Sequence, residues 1–145
     1  MSKMGVMVCG HGSRDADAVQ QFQAVARGIA ERLPQYDVES GFLEFATPII
    51  RHGLDALIAR GVTDILAIPG MLFAAGHVKN DVPSVLNTYA AEHPGVSIRL
   101  GRDLAIDLKL IRAAGDRVQE ALDQVDDTVP MTETMLMVIG RGTSD

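Results

Sequence analysis

Short apolar runs alternate along the chain with longer segments in which apolar residues recur every three to four positions. The longer segments predict four helices, at 16–33, from about 48 to 60, at 79–92 and at 104–125. The short runs predict five strands, at 4–9, 36–43, 63–69, 96–101 and 134–139. Helices that alternate with strands indicate βαβ units and an α/β fold with a parallel sheet, for which 2-1-3-4 is a common strand order.

The end of the chain repeats its beginning. The first strand runs into "GHGSRD" at 10–15, and the last apolar run is followed by "GRGTSD" at 140–145. The two motifs share their glycines and their final aspartate, and they stand 130 residues apart, about the length of one domain of this kind. We interpret 1–125 as one domain, 126–133 as a linker, and 134–145 as the first strand and turn of a truncated second copy. We expect the strand at 134–139 to be flexible or paired outside its natural context.

Composition narrows the classes of function. The chain of 145 residues has a formal net charge of −6 and no long basic run, which argues against nucleic-acid binding. No apolar run approaches the roughly 20 residues of a membrane span. The single cysteine cannot form an internal disulfide. Because the first strand begins almost at once, we expect no leader before it. We expect a soluble cytoplasmic protein.

The predicted sheet points to a binding crevice. In open parallel sheets, ligands bind at the carboxyl ends of the strands, where the strand order reverses. That point lies between the first and third strands, which run into "GHGSR" at 10–14 and "PGMLFAAGH" at 69–77. His11 and His77 would then converge, and two imidazoles make a partial metal site with open coordination positions. The alternatives are a turn role for His11 and a capping or surface role for His77.

Glu44 follows the second strand between apolar neighbours and is expected to be part-buried, where it would exchange protons as a general acid or base. The alternative is a carboxylate that faces solvent or pairs with an arginine. Groups near the first and third loops suit an anionic ligand or an apolar wall. They are Ser13, Arg14 and Lys79 for anions, and Met71, Leu72 and Phe73 for the wall.

Several other signals favour structural roles. "GHGSRD" lacks the third glycine of a dinucleotide fingerprint and the lysine of a Walker loop. "RHG" at 51–53 lies within a predicted helix, whereas the phosphatase motif that it resembles follows a strand. We expect His52 on a helix, His93 at a helix end and Cys9 in the core.

Four stretches together resemble the small tetrapyrrole chelatases of the sirohydrochlorin cobaltochelatase and ferrochelatase family. They are "GHGSR" at 10–14, "GFLEFATPII" at 41–50, "IPGMLFAAGHVKNDVP" at 68–83 and "IRLGRDLAIDLKL" at 98–110. The resemblance implies a flavodoxin-like three-layer sandwich that inserts a divalent metal into a tetrapyrrole without ATP. In that family the histidines that match His11 and His77 bind the metal, and an acid near the position of Glu44 assists.

The family also contains tandem members, in which two such domains follow each other. In the suspected second copy, Arg141 stands where His11 stands, so the first copy would hold the active site. The tandem arrangement resembles the cobalt enzymes, so Co²⁺ is the expected metal, with Fe²⁺ or Ni²⁺ as alternatives. The partner would be a second copy of the chain or its own second domain. The rival functions are a non-catalytic metal- or tetrapyrrole-binding half-domain and a flavodoxin-like regulator.

Overall fold

The computed structural model describes residues 2–72, 77–125 and 129–140, with the backbone alone for residues 77 and 78. The chain forms two compact units, Met1–Ala105 and Ile106–Asp145. The second unit contains α4 (Leu108–Asp123) and a 3₁₀ turn (Met131–Glu133). The first contains β1 (Met4–Gly10), α1 (Ala16–Arg32), β2 (Asp37–Phe42), α2 (Ile50–Ala59), β3 (Asp64–Pro69), a π-helical turn (His77–Asp81), α3 (Val82–Glu92) and β4 (Ser97–Leu100).

The sheet confirms the predicted topology. Its four strands are all parallel and lie in the order β2-β1-β3-β4. Side chains of β1 alternate between its two faces. Val6 and Val8 pack with Ala26 of α1, whereas Met7 and Cys9 join the larger core formed with α2 and α3. One helix on one face and two on the other give the first unit its three layers.

Helix starts follow local chemistry, with one prediction wrong. Asp15 caps α1, because its Oδ1 accepts hydrogen bonds from the backbone of Asp17 at 2.8 Å and Ala18 at 3.5 Å. Pro48, predicted near the first position of the second helix, instead lies two residues before α2 begins. The N–H of Phe42 donates to the Pro48 carbonyl at 2.8 Å, so this segment runs beside the end of β2 before the helix starts.

The second unit departs from two predictions. The residues predicted as a fifth strand, 134–139, form no ladder among the described residues, and their apolar side chains at 135–139 are all exposed. A strand needs a neighbouring backbone to pair with, and a two-fold apolar pattern does not supply one. Helix α4 is shorter than the predicted 104–125, and its apolar positions Leu108 and Ile111 are exposed rather than inward. Among the described residues, no helix is long and apolar enough to cross a membrane.

Cys9 lies in the core, as predicted, and its burial raises the pKa of the thiol to about 12. The thiolate is the reactive form, so we expect the folded chain to resist alkylation by iodoacetamide at pH 8. Mass spectrometry should show complete labelling only after unfolding in guanidinium. The folded pKa lies above the ordinary value of 9.0, so this thiol stabilises the fold fully below pH 9 and loses its contribution as the pH rises toward 12. Rapid labelling of the folded chain would contradict the packing of β1.

Candidate active site

The ends of β1 and β2 remain paired beyond the last residues of the strands. The N–H of Leu43 donates to the Gly10 carbonyl at 2.8 Å, and the N–H of Glu44 donates to the His11 carbonyl at 3.0 Å. The two loops therefore leave the sheet side by side, at its carboxyl edge. This backbone pairing holds His11 and Glu44 next to each other.

The side chains of His11 and Glu44 meet. His11 Nε2 lies 3.3 Å from Glu44 Oε1, with the side chains 36% and 41% exposed. His11 Nδ1 lies 3.0 Å from the Gly12 carbonyl oxygen. The Gly12 carbonyl favours a hydrogen on Nδ1, whereas the Glu44 carboxylate favours one on Nε2. A metal ion that binds Nε2 would select the tautomer with the hydrogen on Nδ1, whose Nε2 lone pair lies beside the carboxylate. A lone pair and a carboxylate oxygen at this distance are two donors that a divalent transition metal accepts.

Gly12 is the residue that lets these two loops come together. Its φ is +98°, and a Cβ built on it would lie 1.7 Å from the Glu44 carbonyl oxygen. Glycines beside a histidine in a loop can serve to let a bulky ligand approach the backbone. The space beside Gly12 is instead taken by the backbone of Glu44, and a Cβ on Gly10 would meet the ring of Phe22 at 2.8 Å. Both glycines make room for the protein's own chain.

Phe45 is a residue of the site that sequence reasoning missed. Its φ is +61°, and the N–H of Ala46 donates to the Glu44 carbonyl at 2.8 Å, which closes a γ-turn around it. Its ring is 52% exposed and its centroid lies 6.2 Å from that of His11. The guanidinium carbon of Arg14 lies 4.9 Å from the centre of the Phe45 ring. No local pattern of residues signals a phenylalanine with positive φ.

The remaining predicted residues of the first and third loops differ in their surroundings. The Ser13 hydroxyl accepts the N–H of Asp15 at 3.0 Å, which is a local turn contact. Met71 packs partly buried against the larger core, whereas Leu72 is half exposed. Arg14 and Lys79 are exposed, the latter in the π-helical turn.

His77 is the first residue of that π-helical turn. Its side chain and the whole of Phe73 lie outside the described residues, so the convergence of His11 and His77 stays a prediction. Among the side chains that the structure does describe, no three or more of the histidine, cysteine, aspartate and glutamate type cluster as a metal site. The described part of the site is therefore the His11–Glu44 pair.

The histidines assigned structural roles have them. His52 is exposed on α2, and His93 ends α3 with its Nδ1 2.9 Å from the Tyr89 carbonyl oxygen. The His93 ring stacks on Tyr89 with centroids 4.1 Å apart. Burial, and a 2.6 Å hydrogen bond from the Tyr89 hydroxyl to Asp55, raise the pKa of that tyrosine. This network joins α2 to α3 and uses both histidine and tyrosine in packing.

A parallel sheet in this order with helices on both faces makes the first unit a flavodoxin-like α/β domain, and a histidine and a carboxylate lie paired at its carboxyl edge. Residues 5–121 match the model of the CbiX family. The chain belongs to that family, whose curated relatives are sirohydrochlorin chelatases.

The names of the curated relatives include two different metals, iron and cobalt. The chain is 32% identical over 143 residues to the sirohydrochlorin ferrochelatase of Bacillus subtilis, covering 99% of this chain and 52% of the relative. It is 31% identical over 144 residues to the sirohydrochlorin cobaltochelatase of Priestia megaterium, covering 97% of this chain and 45% of the relative. The chain thus spans about half the length of these curated relatives.

A solved structure agrees with this family. The sirohydrochlorin chelatase SirB from Bacillus subtilis subspecies spizizenii, in complex with cobalt, superposes with a TM-score of 0.78 at 30% identity. The match covers 81% of this chain and 50% of that one. It confirms the three-layer chelatase fold expected from the sequence.

Proposed function

We propose that this chain inserts a divalent metal ion, Co²⁺, into sirohydrochlorin without ATP, in the biosynthesis of cobalamin. The observation that carries the proposal is the contact between His11 Nε2 and Glu44 Oε1 at the carboxyl edge of the sheet. Sirohydrochlorin is the substrate in the names of both curated relatives. Because the chain spans half their length, their activity is proposed for it rather than transferred to it.

The metal ion is a substrate of this reaction and must exchange water for protein ligands before it enters the macrocycle. His11 offers the Nε2 lone pair in the tautomer whose Nδ1–H donates to the Gly12 carbonyl, 3.0 Å away. Glu44 offers a carboxylate oxygen beside it, whose negative charge attracts the cation. We propose His77 as the further imidazole ligand, from the segment that follows β3.

Insertion also releases two protons from pyrrole nitrogens. Glu44 is placed to accept them as a general base, and His11 Nε2 is the other candidate. Both side chains are part-exposed, so a proton accepted at the site can pass to solvent. In this proposal Glu44 first binds the incoming cation and then takes up a proton, so the described residues supply both steps.

The rest of the site would hold the macrocycle. Exposed Arg14 and Lys79 are our candidates for its peripheral carboxylates, together with the Ser13 hydroxyl, which still has its own proton to donate. Leu72 is half exposed and suits the apolar wall, as do Met71 and Phe73 in the same segment. Positive groups matter here because the chain as a whole is acidic and would repel a polycarboxylate.

Cobalt is chosen over iron on the affinity of the donors, because nitrogen and oxygen donors bind Co²⁺ more tightly than Fe²⁺ at equal availability. The similar solved structures support either metal, since one SirB is in complex with cobalt and another is with Fe³⁺. The alternative is a sirohydrochlorin ferrochelatase that serves siroheme, as the name of the Bacillus subtilis relative indicates.

A side-by-side rate comparison tests this proposal. The purified chain is mixed anaerobically with sirohydrochlorin and with Co²⁺, Fe²⁺ or Ni²⁺, and the absorbance change is followed against the same mixture without protein. We expect the largest acceleration with Co²⁺. A larger acceleration with Fe²⁺ would establish the ferrochelatase alternative. Binding of sirohydrochlorin without any acceleration would establish a non-catalytic half-domain.

We further propose that 1–125 is the chelatase domain and 134–145 the start of a second one. The relatives of about twice this length support the proposal. So does the exposure of apolar residues 135–139, which a following domain would bury in a sheet.

A further inference from the structure

We infer that Phe45 contacts the substrate directly, with its ring stacked against the flat face of the macrocycle beside the His11–Glu44 pair. The inference rests on the proposed function in one respect, namely that the substrate is a planar tetrapyrrole. It assigns a substrate-binding role to a residue that neither the motif pattern nor the metal chemistry required.

The backbone at Phe45 is the first argument. A φ of +61° brings the Cβ of an L-residue close to its own backbone, and glycine is the residue that adopts it freely. The γ-turn is nevertheless imposed from both sides, by the hydrogen bond from Glu44 to His11 and by that from Ala46 to Glu44. Glycine would meet the demands of this turn without steric cost. The turn itself therefore gives no reason for an aromatic side chain.

The packing of the ring is the second argument. The rings of Phe22 and Phe42 contact each other with centroids 4.9 Å apart and planes tilted by 51°, and Phe42 is buried, so these rings contribute to the core. The Phe45 ring is 52% exposed and belongs to neither hydrophobic core cluster. Strained residues that stability does not explain are concentrated at ligand sites. A half-exposed ring on a strained turn fits that pattern.

The neighbours of the ring are the third argument. His11 lies 6.2 Å away and tilted by 39°, so the phenylalanine stands next to the proposed metal donors. Arg14 rests its guanidinium 4.9 Å from the ring centre. A tetrapyrrole carries a flat aromatic surface with carboxylates around its edge, and a phenyl ring with an adjacent guanidinium matches both features.

One rival explanation uses the same geometry. The γ-turn would then serve only to aim Glu44 at His11, and the phenyl ring would be incidental. Phe45→Gly separates the two explanations, because it removes the ring and relaxes the turn. If only the turn matters, this variant binds sirohydrochlorin as the wild type does.

The test measures sirohydrochlorin binding by absorbance titration without metal, Co²⁺ binding by calorimetry, and KM and kcat for insertion. For Phe45→Gly we expect roughly a tenfold or greater rise in the sirohydrochlorin Kd and in KM, the size expected for losing one stacked aromatic ring. Co²⁺ affinity and Tm should stay at or above the wild-type values. Phe45→Tyr should keep Kd within about threefold of the wild type, because it preserves the ring.

Tyr36→Ala is the matched control, since it removes a surface aromatic that precedes β2, at the opposite edge of the sheet. It should leave the sirohydrochlorin Kd unchanged. An unchanged Kd and KM in Phe45→Gly would overturn the inference, while the activity of the wild-type chain would still stand. A wild-type chain that binds sirohydrochlorin but inserts no metal would overturn the proposed activity and leave the Kd comparison to decide on Phe45. No sirohydrochlorin binding by the wild type would overturn both.

Discussion

Replacing His11 by alanine should lower the rate of metal insertion into sirohydrochlorin by at least roughly 100-fold, the scale on which proton-transfer and metal-binding groups act. The variant loses the Nε2 lone pair and leaves Glu44 as the remaining described donor. Because the His11 side chain is part-exposed and outside both core clusters, the fold should lose no more than about 1 kcal/mol. Initial rates with Co²⁺, together with thermal unfolding of the same sample, would check both statements.

His52→Ala is the matched control for this variant, since His52 is an exposed histidine in the first turn of α2. It should keep the wild-type rate. The same loss is expected for His77→Ala, which tests the predicted second imidazole. Near wild-type rates in both His11→Ala and His77→Ala would refute the site assignment.

Gly12→Ala should both destabilise the protein and disable the site. An alanine Cβ would lie 1.7 Å from the Glu44 carbonyl oxygen, so the loop after β2 must move away from His11. A side chain at a φ of +98° adds strain of its own. We expect a loss of about 2–5 kcal/mol in the free energy of unfolding, as strain and overpacking combine. The rate of metal insertion should also fall, since the side chains of His11 and Glu44 would no longer lie in contact.

The chain offers a close control for this second prediction. Gly95 has a φ of +99°, almost the same as Gly12, but a Cβ there would meet nothing within 4 Å. Gly95→Ala therefore carries the backbone strain without the clash, and should cost about 1–2 kcal/mol with the insertion rate unchanged. Denaturant unfolding gives the free energy of unfolding of each variant. The difference between the two values measures the cost of the clash at Gly12. Equal losses of unfolding free energy in the two variants would show that Gly12 is not needed to bring the two loops together.

The order of the sheet and the location of the site followed from local patterns. Alternating strand and helix periodicities define βαβ units, and their connections leave few parallel topologies. The carboxyl ends of neighbouring strands must then share one edge, so His11 and Glu44 were expected there before any distance was known. The role of Asp15 as the cap of α1 is likewise a local property, because helix capping depends on a residue and its next three neighbours.

Other features depend on residues far apart in the chain. The glycine pattern around His11 was visible, yet its purpose was not, because the atom that occupies the space beside Gly12 belongs to Glu44. The strain at Phe45 arises in a γ-turn closed by Ala46 and Glu44, beside the hydrogen bond that ties Glu44 to His11 of the neighbouring loop, and nothing in the composition of that segment signals it. Helical spacing in α4 and alternation at 134–139 were also visible, but whether such faces are buried depends on a second surface.

The features that the sequence predicts and those that it does not differ in the range of the interactions behind them. Periodicity, capping and strand connection are short-range properties, so the residue order alone determines an α/β domain with a histidine and a glutamate at its carboxyl edge. Contact between their side chains and the exposure of Phe45 beside His11 are long-range properties. They were decided by the packing of one loop against another, because only folding brings residues 11–14 against residues 42–46.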